Sequence, residues 1–89
     1  MSRFQYDPAK AASNRGKHNV SFADAEGVFV DPFAITIADR DAAGERRFVT
    51  VGLGNASALL VVVWTERGDE CRLIAARRAT PRERRQYEE

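Results

Sequence analysis

"LLVVVWTERGDECRLIAARR", Leu59 to Arg78, is the stretch whose reading decides the fold. Its first half is a near-continuous apolar run, as expected of a central strand. Ala58 to Arg67 therefore reads as the most apolar strand and the centre of a sheet. The apolar part, Ala58 to Trp64, is far too short to span a bilayer. Gly68-Asp69 has the chemistry of a tight hairpin turn. Arg72 to Arg78 then returns as the last strand, and a short hairpin makes the pair antiparallel.

Reading toward the C-terminus, "TPRERRQYEE" opens a helix. Thr80 is placed to cap it, Pro81 suits the first helical position, and Glu83 completes a capping box. Reading toward the N-terminus, "GLGNAS" turns the chain and Arg46 to Val51 alternates as a strand. "DRDAAGE", Asp39 to Glu45, is a further turn, and Phe33 to Ala38 another strand. Gly52 and Gly54 lack phosphate-loop spacing, with no Lys-Ser or Lys-Thr after them.

Asp31-Pro32 ends a preceding helix that begins at Ser21, where "SFAD" has capping-box spacing with Asp24 in the acceptor place. Phe22, Ala25, Val28 and Phe29 form its apolar stripe. Upstream, Asp7 caps and Pro8 starts another helix, weakened near its end by Gly16. Lys17 and His18 occupy its last turn, and Asn19 tolerates the left-handed geometry that stops it. Arg3 to Tyr6 alternates as a short first strand. The order is strand, two helices, antiparallel strands and a short helix. It predicts an α+β fold with an N-terminal strand and two helices packed on a small antiparallel sheet.

With 89 residues the chain has room for one core, so a single domain over residues 1–89 is expected. One cysteine and one histidine exclude an internal disulfide and argue against a structural zinc site. "MSRFQYDPAK" lacks the apolar core of a signal peptide, which points to a cytoplasmic, reducing compartment. The net charge of +1 divides unevenly: +3 over residues 1–20, −5 over 21–71 and +3 over 72–89. If the two basic ends meet, they form a positive patch suited to phosphate. The plainer alternative is that these cations only solvate helix faces.

Strict alternation in the last strand puts Arg72, Ile74, Ala76 and Arg78 on one face. Cys71, Leu73, Ala75 and Arg77 take the other. Arg77 and Arg78 thus diverge, and the one facing a covered side needs an anion: a phosphate, or the carboxylate of Glu83. Thr65 and Arg67 share a face with Leu59, Val61 and Val63. Tyr87 offers a phenol to donate a hydrogen bond or stack on a base, or else a tether for the last helix. The acids fall in caps and loops, with no spacing for a two-metal site. No G-x-S-x-G occurs, and Ser21 is better explained as a cap. What remains is metal-free cleavage of RNA, which needs an acid, a base and cations for the phosphorane oxyanion. His, Lys, Glu, Tyr and Arg are all present, although a basic RNA-binding domain could hold the same set.

The chain resembles the BrnT family, the toxin half of bacterial type II toxin–antitoxin modules. The residues that carry the likeness are "FQYDPAKAASNRGKHNVSFADAEGVFVDP" (4–32), "GERRFVTVG" (44–52) and "LLVVVWTERGDECRLIAARRATPRERRQYE" (59–88). Asn19 stands where the family usually has Gly, and Ala75 where a Ser is common. The resemblance implies a RelE-like fold, RNA cleavage that arrests growth, and neutralisation by a BrnA-type antitoxin with a ribbon-helix-helix domain. It also implies operon repression with that antitoxin, so that operator DNA is met only through it. On this reading His18 or Glu83 transfers the proton, Arg67 and Arg77 hold the phosphate, and Tyr87 positions or protonates the substrate. Lys17, Arg72, Arg78 and Arg84 contact RNA, and no metal, cofactor or membrane is called for. The alternative role for His18 is a helix end-cap. The alternative function is a non-catalytic RNA- or partner-binding module of the same fold.

Overall fold

A computed structural model describes residues 4–39 and 46–89. Arg3 of the expected first strand and residues 40–45 of the expected Asp39–Glu45 turn lie outside them. In chain order the elements are β1 (Phe4–Gln5), α1 (Pro8–His18), α2 (Phe22–Ala25) continuing as a 3-10 turn (Glu26–Val30), β2 (Ile35–Asp39), β3 (Arg47–Leu53), β4 (Leu59–Arg67), β5 (Glu70–Arg78) and α3 (Pro81–Glu88).

Side chains set most of these boundaries. Asp7 accepts a hydrogen bond from the Ala9 amide at 2.8 Å, and Pro8 follows as the first helical residue. Gly16 does not end α1; Asn19 does, at φ 56°, its amide closing back on the Arg15 carbonyl. Ser21 caps α2 through the Asp24 amide, but the Asp24 side chain reaches away to the Ala56 amide instead of completing a capping box. After one turn the helix tightens to 3-10 geometry. There Gly27 lies against Asn55, and a Cβ would sit 2.4 Å from the Asn55 nitrogen.

The five strands run in the order β1-β5-β4-β3-β2, with β4 third and central. β2 through β5 are antiparallel, whereas β1 joins β5 in parallel, pairing Phe4 with Cys71 and Gln5 with Arg72. This corrects the antiparallel sheet expected from sequence: the sheet is mixed. No hairpin dictates the direction of β1, because nearly the whole chain separates it from β5. The pairing sets the N-terminal segment beside β5.

α1 and α2 cover one face. Phe22, Val28, Leu60, Val62, Leu73 and Ala76 are buried between them and the sheet, and an aromatic file of Phe4, Phe29, Trp64 and Phe48 runs along one side. Burying one such side chain contributes about 1.5–3 kcal/mol. The Trp64 indole N–H donates to the Thr50 hydroxyl at 2.8 Å, which also meets Thr36 at 2.7 Å.

β5 does not alternate strictly. Val63 faces Ala75 while its neighbour Trp64 faces Leu73, so Ile74 is an extra residue in the strand. Such a bulge reverses the facing of everything beyond it. Leu73 and Ala76 therefore both enter the core, and Ala75 and Arg77 turn to the opposite, open face. The simple alternation expected from the sequence fails at this point.

Candidate active site

The open face has an apolar floor, built from Ile35 and Ile37 of β2, Val49 and Val51 of β3, and Val61 and Val63 of β4. α3 crosses one side of it. At the rim nearest α1 lies a hollow of about 310 Å³ lined by His18, Val49, Val61, Val63, Ala75 and Arg77. His18 reaches it because α1 ends at Asn19, beside the outer edge of β5. It also lines an adjoining hollow with Lys10, Asn14 and Lys17.

One buried residue sets this approach. Asn14 is 6% exposed. Its amide nitrogen donates to the Ala76 carbonyl at 2.8 Å and the Val20 carbonyl at 3.1 Å, and its oxygen accepts from the Ala76 amide at 3.0 Å. β1 pairs only as far as Arg72, so Asn14 stands in for a neighbouring strand next to Arg77. Sequence reasoning missed it, because in a helix with several polar residues nothing local marks the one that is buried.

Arg77 is bidentate to Glu83, Nη1 to Oε1 and Nη2 to Oε2, both at 2.8 Å, and Nη1 also donates to the Arg78 carbonyl at 3.2 Å. A guanidinium has five N–H donors. Its Nε–H and second Nη2–H are thus left without a partner among the described residues. Glu83 is at the same time the capping-box carboxylate, accepting from the Thr80 amide at 2.8 Å. Hydrogen bonding to Arg77 is the main cause that pulls the Glu83 carboxyl down to about 2, and the same bonds raise the Arg77 pKa.

Tyr87 donates to Asp31 Oδ2 at 2.6 Å. Asp31 also accepts from the amides of Leu53 at 2.9 Å and Phe33 at 3.0 Å. Chiefly through the Tyr87 bond, Asp31 is held below the usual carboxylate range and the phenol is raised above its ordinary value. The tether read for Tyr87 is present, and Asp31, which the sequence offered only as a helix stop, is its anchor.

The remaining expected residues lie apart. Arg67 sits at the β4–β5 hairpin opposite Glu70, six residues from the Val61 that faces Arg77, about 20 Å at strand spacing. Arg72 pairs with Thr65, closer to that hairpin end. Arg78 lies opposite the core residue Leu60 and so leaves on the helix-covered side. Arg84 is exposed, 3.9 Å from Glu88. Lys17 is exposed beside His18. Thus His18, Arg77 and Glu83 are brought together with Tyr87 further along α3, while Arg67, Arg72, Arg78 and Arg84 are not. Among the described residues no three His, Cys, Asp or Glu groups converge, and no helix is long and apolar enough to cross a membrane.

A family model for the ribonuclease toxin BrnT of type II toxin–antitoxin systems matches residues 6–83. The fold is similar to the crystal structure of the Brucella abortus ribonuclease toxin BrnT, with a TM-score of 0.66 and 23% identity over 90% of this chain and 99% of that one. At that identity the likeness speaks to the fold. A comparison with curated protein sequences finds no match.

Proposed function

The chain belongs to the BrnT family of ribonuclease toxins of type II toxin–antitoxin systems, and from that premise we propose that it is a metal-independent endoribonuclease that arrests growth. The observation that carries this reading is the single hollow shared by His18 and Arg77 on the open sheet face. Proton transfer and phosphate binding need to meet at one place, and these two side chains do.

In the proposed reaction the 2′-hydroxyl of RNA attacks the adjacent phosphorus. The 2′-O–P bond forms, the P–O5′ bond breaks, and the products are a 2′,3′-cyclic phosphate and a 5′-hydroxyl. His18 takes the 2′-hydroxyl proton or supplies the proton to the leaving oxygen. Arg77 turns its two remaining N–H groups to the oxyanion. Glu83, held near 2, is too weak a base to compete at neutral pH, so its part is to fix the plane of Arg77. Tyr87 positions substrate from α3, and protonating it would require leaving Asp31. Lys17 adds charge beside His18. Arg67, Arg72, Arg78 and Arg84 are proposed as outlying contacts to the RNA backbone.

The test is cleavage of RNA in EDTA by folded, antitoxin-free protein, wild type beside His18→Ala and Arg77→Ala. Cyclic-phosphate ends with wild type and their loss in the variants support the reading; no cleavage by folded wild type sinks it.

The proposal extends to the setting: a RelE-like fold acting in the cytoplasm, neutralised by a BrnA-type ribbon-helix-helix antitoxin and joining operator DNA only through it. The open edge of β2, with Ile35 and Ile37 exposed, supports a protein partner, because such edges invite pairing. Operator DNA retarded by the toxin alone would refute that arrangement. One observation favours a non-catalytic binding module instead: Arg77 and Tyr87 both already hold carboxylates within the chain. That reading predicts salt-dependent RNA binding with no cleavage products.

A further inference from the structure

Beside the hollow of His18 and Arg77 lies a second, of about 330 Å³, between the sheet and α3. Its floor is Ile35, Ile37, Val49 and Val51, and Gln86 and Tyr87 form its wall. The two hollows adjoin. Val49 lines both, and Glu83, at the edge of the second, is the residue that grips Arg77 in the first. The floor is open to water: Ile35 is 43% and Ile37 63% exposed.

This pairing of a cation with an apolar slot divides space as a nucleotide does. A phosphate carries charge and needs directed donors; the base beside it has two apolar faces and a polar edge. Bases taken out of a stack are held between aromatic or apolar side chains and read along their edges. Here the branched side chains offer a flat apolar bed and the Tyr87 ring offers a wall. Gln86, which also lines the slot, brings an amide that can both donate to and accept from a base edge. A paired base in a duplex cannot enter such a slot, so the ligand must be single-stranded.

We infer that the hollow beneath α3 is a nucleobase subsite for single-stranded RNA, receiving the base next to the phosphate held by Arg77. The inference rests on the ribonuclease reading and deepens it, because it locates the source of any sequence preference.

The experiment follows the isoleucine and valine methyl resonances of the wild-type protein. A short single-stranded RNA, 2′-O-methylated throughout so that it cannot be cut, is titrated beside ribose 5-phosphate and inorganic phosphate. Ile35, Ile37 and Val51 are expected to shift with the RNA and not with the two phosphates, whereas Val49, which lines both hollows, shifts with either. Ile37→Ser and Gln86→Ala should each weaken RNA binding about fivefold, the size of one lost apolar contact or one net hydrogen bond, and change which linkages are cut. Cleavage with silent methyls and unchanged preference overturns the subsite while the ribonuclease stands. Methyl shifts with no cleavage of unmodified RNA leave the subsite standing and remove the enzyme. Silence in both assays removes both and leaves the slot to a peptide of a protein partner.

Discussion

Asn14 and Ala76 are joined through both backbone groups of the alanine: its amide donates to the Asn14 oxygen at 3.0 Å, and its carbonyl accepts from the Asn14 nitrogen at 2.8 Å. Ala76 is followed directly by Arg77, and Asn14 lies one helical turn before His18. The contact therefore sets the position of the two side chains proposed to meet at the scissile phosphate.

Asn14→Ala takes their Asn14 partner from the Ala76 amide, the Ala76 carbonyl and the Val20 carbonyl in a buried place. A destabilisation of about 2–4 kcal/mol is expected, read from the urea midpoint at constant slope. Restored stability without restored cleavage, in a second-site revertant, would separate positioning from folding; a variant as stable as wild type would contradict the accounting.

Arg77→Ala should lower RNA cleavage by about a hundredfold or more, the usual loss when an oxyanion donor is removed. Arg77→Lys should not restore it, since an ammonium cannot hold Glu83 and a phosphate in two planar forks. Single-turnover rates on one oligonucleotide decide this. A lysine variant of wild-type rate would show that charge alone matters.

The Glu83 carboxyl has an ordinary value of 4.5 and is pulled down to about 2 in the folded chain. A depressed carboxyl stabilises the fold fully above its unfolded value and loses that contribution as pH falls toward the folded one. Stability should thus decline between about pH 4.5 and 2, with Asp31 acting in the same direction. Tyr87 acts at the other end: its raised pKa favours the fold below the ordinary tyrosine value and ceases to as pH rises through the folded one. Thermal melts of Glu83→Gln should show a flatter acid limb than wild type, and those of Tyr87→Phe a flatter alkaline limb. Superimposable limbs would count against both bonds.

Cys71 pairs with Phe4 of β1 and packs against the core, and burial, aided by Glu66 and Glu26, pushes its thiol up to about 12. The thiolate is the reactive form. Alkylation at pH 8 should therefore be slow in the native protein and follow the unfolded fraction across a denaturant series. Rapid labelling of the native chain would mean that β1 leaves the sheet easily.

Much of the architecture was legible because it depends on neighbours in sequence. The Gly68-Asp69 hairpin, the caps at Asp7, Ser21 and Thr80, and the left-handed stop at Asn19 all form where local chemistry placed them. The partnership of Arg77 with Glu83 was also readable, since only a turn of chain separates them.

The extra residue at Ile74 was not readable, because any apolar residue suits either face and only packing against Trp64 and Val63 shows which one is unpaired. That single bulge places Ala75 and Arg77 on the open face.

Local pattern by itself determined the elements, their order and the α+β class, because capping, turn chemistry and apolar periodicity act over a few residues. Tertiary structure decided the parallel docking of β1, the Asn14 bridge across 62 positions and the Tyr87–Asp31 tether across 56. Each satisfies a backbone or side-chain group that has several possible partners in the sequence, and only the folded chain brings one of them within hydrogen-bonding distance.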